Sequence, residues 1–166
     1  MTGVLGGSAG AVRAWQSGAE PSPDLRAAFV RPTARIEEAR WLDHRAQVRA
    51  MIDISDGLGG DARHLAAASG VRIVLDAGLV PIHPALTVED WTSLAMLGGE
   101  DYELCFVSSP GVVPGYSDEF QERFGIRLTR VGHVEEGTGV DVVGEPHGGG
   151  RAMGGFDHFS APEASC

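Results

Sequence analysis

The chain has 166 residues, 43% of them apolar and 24 of them glycine, which suits one globular domain with many tight turns and excludes a disordered chain. The formal net charge is −10 and all 13 basic residues are arginine, which excludes a Schiff-base lysine and a phosphate loop built on lysine. That charge argues against nonspecific nucleic-acid binding and fits a protein that recruits cations, although an acidic surface also serves solubility alone.

In chain order, "SAGAVRAWQSG" reads as a short helix that stops at Gly18, "EPSPD" as a turn, and "DLRAAFV" as a second short helix ending before Pro32. "TARIEEARWLDHRAQ" is helical, with Ile36, Ala39, Leu42 and Ala46 on one face. "VRAMIDIS" alternates as a strand, with Val48, Ala50, Ile52 and Ile54 facing one way. The next helix is capped by Ser55 or Asp56, carries Leu58, Ala62, Leu65 and Ala66 on one stripe, and ends at Gly70. "VRIVLDA" is a strand, and "TVEDWTSLAML" a helix with Thr87 as cap and Asp90 in a capping-box-like place. "DYELCFV" is a strand with Tyr102, Leu104 and Phe106 on one face, followed by the helix "SDEFQERFG" and the strands "IRLTRVGHV" and "GVDVVG". "EPHGGGRAMGG" is a loop by composition, and "FDHF" follows it. Strands and helices mix without strict βαβ alternation, so the expected fold class is α+β: a mixed β-sheet with helices packed mainly on one face.

The stretch "AMIDISDGLGGD", residues 50 to 61, carries the chemistry. Asp53 and Ser55 lie two apart at a strand end, Asp56 follows at the helix entry, and Asp61 comes about one turn later. Two carboxylates and a hydroxyl at one strand-to-helix turn form a hard-oxygen site of the kind that binds Mg2+ together with phosphate oxygens. A calcium hand fits poorly, because position twelve from Asp53 is His64 and not Glu. An N-cap role is the competing reading, but a cap needs one such residue and here three cluster.

A second stretch, "GGEDYEL" at 98 to 104, places Gly98, Gly99 and Glu100 ahead of an apolar strand. "SDGL" and "GGEDYEL", in this order, resemble the thiamine-monophosphate kinase family. "TGVLGGSAGAV" is similar to the opening of that family's C-terminal domain, "RPTAR" to its Pro-x-Pro-Arg segment with Ala34 where a second proline is common, and "GGFDHF" at 154 to 159 to its C-terminal signature. The resemblance implies an aminoimidazole ribonucleotide synthetase-like fold and transfer of the γ-phosphoryl of ATP to thiamine monophosphate, with Mg2+ holding the phosphates. It implies Asp53 and Asp56 as metal ligands, Asp56 as a catalytic group, Ser55 as a contact to ATP or its metal, and Glu100 and Phe156 as substrate contacts. The residue types agree, since a carboxylate accepts from an aminopyrimidine and an aromatic ring stacks on it. The family's chains have two domains. Residues 1–160 are expected to be the second, with 161–166 a tail and the N-terminal ATP-binding domain absent from this chain.

The other residues read more plainly. Six scattered histidines form no HxxxH or HExxH pair, so zinc is not expected, and His158 is expected to order the terminus. Cys105 reads as a packed thiol. Cys166 stands where hydrogenase maturation relatives carry a terminal thiol, but its surroundings differ. The three tryptophans read as core. No apolar run is long enough to span a membrane, and "MTGVLGGSAGAV" lacks the basic region of a signal peptide, so a cytoplasmic protein is expected. Expected partners are thiamine monophosphate, ATP, and a separate N-terminal half or a second copy. Two readings stand: the catalytic half of a kinase, and a noncatalytic ligand-binding or assembly module.

Overall fold

Among the described residues, five short strands pair into two sheets, with six α-helices around them. The computed structural model describes residues 1–86 and 91–144. The helices are α1 (Gly7–Gln16), α2 (Pro23–Val30), α3 (Ile36–Arg45), α4 (Leu58–Ser69), α5 (Trp91–Leu97) and α6 (Val112–Phe124). The strands are β1 (Ala50–Asp53), β2 (Arg72–Asp76), β3 (Leu104–Val107), β4 (Gly132–Glu135) and β5 (Gly139–Val143). Two isolated bridges, Thr2 with Leu128 and Leu5 with Ile82, complete the strand-like segments.

β1 and β3 form an antiparallel pair in which Asp53 faces Leu104. The second sheet has the order β4-β2-β5; β2 runs antiparallel to β4 and parallel to β5. The expected mixed character therefore belongs to the three-stranded sheet. Its inner face, with Ile73, Leu75, Val140 and Val142, packs with Leu58, Leu65 and Ala66 of α4 in one core. Its other face carries Arg72, within 3.7 Å of Glu135 and 3.4 Å of Asp141.

The two-stranded sheet is covered on both faces. Ala50 and Ile52 join the α4 core. Met51, Leu104 and Phe106 point the other way, into a second core with Trp41 and Leu42 of α3 and Phe120 of α6. Trp41 meets Phe120 edge-on at 5.4 Å between ring centroids, the arrangement that aromatic quadrupoles favour.

Several local expectations need correction. Val48 packs with the α3–α6 core and not with Ala50 and Ile52; regular pairing starts at Ala50, so the alternation does not extend back to it. Ile36 is 58% exposed, and Trp41 takes its place in the core. α6 begins at Val112, well before "SDEF", because Pro114 falls in its first turn, where a missing N–H costs nothing. Tyr102 precedes β3, so it shares no strand face with Leu104. Thr87, Asp90, Phe156, His158 and Cys166, with the expected domain limit near 160, lie outside the described residues.

Candidate functional site

β1 delivers the chain to the acidic turn. Ile54 is fully buried and anchors it from below, while Asp53 is exposed and Ser55 and Asp56 are half-buried. Gly57 then turns the chain into α4 at φ 94, a left-handed value that side chains disfavour. A Cβ there would come within 2.9 Å of the Leu97 carbonyl.

Neither Ser55 nor Asp56 caps α4, which lacks a side-chain cap bond. The capping expectation is thus corrected, and for a definite reason. Asp61, buried in the first turn of α4, reaches back, and its Oδ2 accepts from the amides of both Ser55 and Asp56 at 3.0 Å. A buried carboxylate folds the turn from within the helix. Burial pushes the Asp61 carboxyl up from its ordinary value, and the neighbouring Asp56 and Asp53 charges add to this, against the two amide bonds.

The loop at 98 to 103 lies directly against this turn. The Glu100 amide donates to the Ser55 carbonyl at 3.0 Å, and the Tyr102 amide to the Ile54 carbonyl at 2.9 Å. Gly99 is needed for this approach, since a Cβ there would sit 2.2 Å from the Ser55 oxygen. The structure thus brings Ser55, Asp56 and Glu100 into one wall.

Within "EDYE" the residues alternate in role. Glu100 and Tyr102 both hold positive φ, at 69° and 52°. The Tyr102 hydroxyl donates to Glu100 Oε2 at 2.9 Å. Asp101 turns inward instead. Its Oδ2 accepts from the Gly6 amide at 2.7 Å and its Oδ1 from the Ser8 amide at 3.3 Å, so it caps the N-terminus of α1 from 93 residues away. Burial raises Asp101 to about 6 in spite of these bonds. The Ser8 hydroxyl donates to the Glu100 carbonyl at 2.7 Å.

Glu103, 5% exposed, accepts from Arg35 Nη2 at 2.6 Å, from Arg35 Nε at 3.1 Å and from the Thr2 hydroxyl at 2.6 Å. Arg35 also meets Glu38 at 3.1 Å. Burial alone would lower the Arg35 pKa, but the Glu103 and Glu38 carboxylates outweigh it and hold it above the ordinary value. "RPTAR" and "GGEDYEL" therefore join through one bidentate ion pair. Sequence reasoning missed Asp101, Tyr102, Arg35 and Glu103; the signal available was the crowding of three acids around Tyr102 in "EDYE".

The oxygen-rich donor set suits a hard divalent cation. Ligand atoms of Asp56, Asp61 and His64 lie within 4.8 Å of one another. That grouping pairs Asp56 with Asp61 and His64, not with Asp53, among the described residues. A cavity of about 350 Å3 opens elsewhere, between β3 and β4, and none of Asp53, Ser55, Asp56 or Glu100 borders it.

Comparison with known proteins matches residues 2–145 to the family "AIR synthase related protein, C-terminal domain". The chain is 36% identical over 152 residues to thiamine-monophosphate kinase from Methanopyrus kandleri, covering 88% of this chain and 46% of that protein. It is 33% identical to thiamine-monophosphate kinase from Salmonella typhimurium, covering 98% and 52%. Its fold matches thiamine-monophosphate kinase from Stenotrophomonas maltophilia with a TM-score of 0.78 at 37% identity, over 87% of this chain and 49% of that one. It also matches AaThiL complexed with AMPPCP and TMP, with a TM-score of 0.74 at 32% identity, over 95% and 49%. The chain spans about half the length of the curated relatives it matches.

Proposed function

The chain belongs to the AIR synthase related protein C-terminal domain family, and we propose that it forms the thiamine-phosphate wall of a Mg2+-dependent kinase site. That site transfers the γ-phosphoryl of ATP to thiamine monophosphate and gives thiamine diphosphate. The observation that carries this reading is the bond from the Glu100 amide to the Ser55 carbonyl, 3.0 Å. It makes the acidic turn and the glycine-rich loop one surface. The relatives named thiamine-monophosphate kinase, and a fold match to a protein complexed with AMPPCP and TMP, support the same reaction class.

Asp53 and Asp56 would hold Mg2+, with Asp61 supporting Asp56 through the backbone of the turn. Bound there, Mg2+ neutralises charge on the phosphate oxygens. The Ser55 hydroxyl reaches the nucleotide or its metal from the same turn. Glu100 is exposed and offers a carboxylate to the amino group of the pyrimidine ring. Phe156 stacks on that ring in this reading. A second body, contributed by a separate N-terminal half or by another copy, would bring the nucleotide, since in-line transfer needs both phosphates held at a closed site.

The test is titration calorimetry of the purified chain with thiamine diphosphate, with and without Mg2+. Mg2+-dependent binding should weaken by about tenfold in Asp53→Asn and in Asp56→Asn, the loss of one charged contact to the metal–phosphate group. Unchanged binding in both variants would overturn the metal assignment.

A further inference from the structure

Glu100 and Tyr102 stand two residues apart, and each holds a left-handed backbone that neither residue type favours. Such outliers persist only where the surroundings over-determine them, and here the surroundings do. Asp101 between them is tied to the Gly6 and Ser8 amides. The Ser8 hydroxyl holds the Glu100 carbonyl. Glu103, one residue on, is clamped by Arg35 and Thr2. The two amides are fixed on the Ser55 and Ile54 carbonyls. The result is a pair of outward side chains joined by one bond, Tyr102 hydroxyl to Glu100 Oε2 at 2.9 Å.

A surface tyrosine–carboxylate bond two residues apart adds little to stability, and glycine would hold either backbone at less cost. The strained pair is better explained by what it presents. A hydrogen bond from Tyr102 to Oε2 restricts rotation of the Glu100 carboxylate and leaves Oε1 without a bond to Tyr102. The hydrogen bond to Glu100 and the Glu100 charge, followed by slight burial and the charges of Asp53 and Asp56, hold the Tyr102 pKa above its ordinary value, in keeping with its role as the donor of that bond.

We propose that Tyr102 is a specificity-determining positioning residue: its hydroxyl orients the Glu100 carboxylate so that the pair selects a ring bearing an exocyclic amino donor over one bearing a carbonyl acceptor at the same place. This rests on the reading of Glu100 given above. A carboxylate held in one plane rejects an acceptor through repulsion between lone pairs, whereas a free one rotates away from it.

The experiment compares two probes, thiamine monophosphate and its analogue with an oxo group in place of the pyrimidine amino group. Affinities are read from amide shifts of the 15N-labelled chain, which also report that each variant is folded. The native chain should prefer the amino ligand. Glu100→Gln should abolish the preference. Tyr102→Phe should leave affinity for the oxo analogue within twofold and cut the preference by about fivefold, consistent with a weakened charge-assisted hydrogen bond. Full preference in Tyr102→Phe beside a lost preference in Glu100→Gln would overturn the role of Tyr102 alone. An unchanged preference in Glu100→Gln, or no binding by the native chain, would overturn the reading of Glu100 and this inference with it.

Discussion

At the scale of single residues, the acids of this chain divide by where their charge is held. Asp101 is the sharpest case. Two amides favour its ionised form, yet burial favours the neutral one more, and its pKa rises from 3.8 to about 6. A carboxyl whose folded pKa is raised contributes stability at low pH that is lost as pH climbs through the folded value. The native chain should therefore lose stability relative to Asp101→Asn between about pH 4 and about pH 6. The change should be roughly 2 kcal/mol after allowance for partial exposure. Urea unfolding of both proteins at pH 4 and pH 7 measures it; parallel pH dependences would show that Asp101 does not titrate in this window. The sequence made the site acids legible because Asp53, Ser55 and Asp56 crowd one turn. It hid Asp101, because a contact across 93 residues leaves no local pattern.

At the scale of elements, the acidic turn is set by α4, and the loop at 98 to 103 by α1 and by Arg35 at the start of α3. Asp61→Ala should remove both bonds to the Ser55 and Asp56 amides and leave them unsatisfied, costing about 2–3 kcal/mol. Chemical denaturation checks this, and a loss under 0.5 kcal/mol would show that the turn is held by Gly57 alone. Arg35→Met should cost about 3 kcal/mol, since it strands Glu103 with a buried charge. Adding Glu103→Gln should restore part of it, which a double-mutant cycle reads directly. Most elements could be read from periodicity: α4 carries its four apolar stripe residues buried, as its spacing requires. Two of the corrections have causes visible at this scale. Pro114 sits in the first turn of α6, which therefore starts at Val112 and not near "SDEF", and the left-handed Tyr102 ends the apparent alternation of "DYELCFV" before β3 begins.

At the scale of the whole molecule, two apolar cores lie on opposite sides of β1 and β3, and the candidate site sits where those two strands meet, at Asp53 opposite Leu104. The mixed architecture was legible because its strands alternate in pattern. Its division into two sheets was not, because pairing between distant strands depends on tertiary packing and not on local sequence. On the proposed function, this wall works only against a second, nucleotide-bearing body. A kinase assay with ATP, Mg2+ and thiamine monophosphate tests it most directly, run on the purified chain alone and with the N-terminal half of the Stenotrophomonas maltophilia thiamine-monophosphate kinase added. We expect no thiamine diphosphate from the chain alone, turnover with the two halves together, and loss of that turnover in Asp56→Asn. Thiamine diphosphate formed at an ordinary kinase rate by the chain alone, or no turnover from halves shown to associate, would contradict the proposed function.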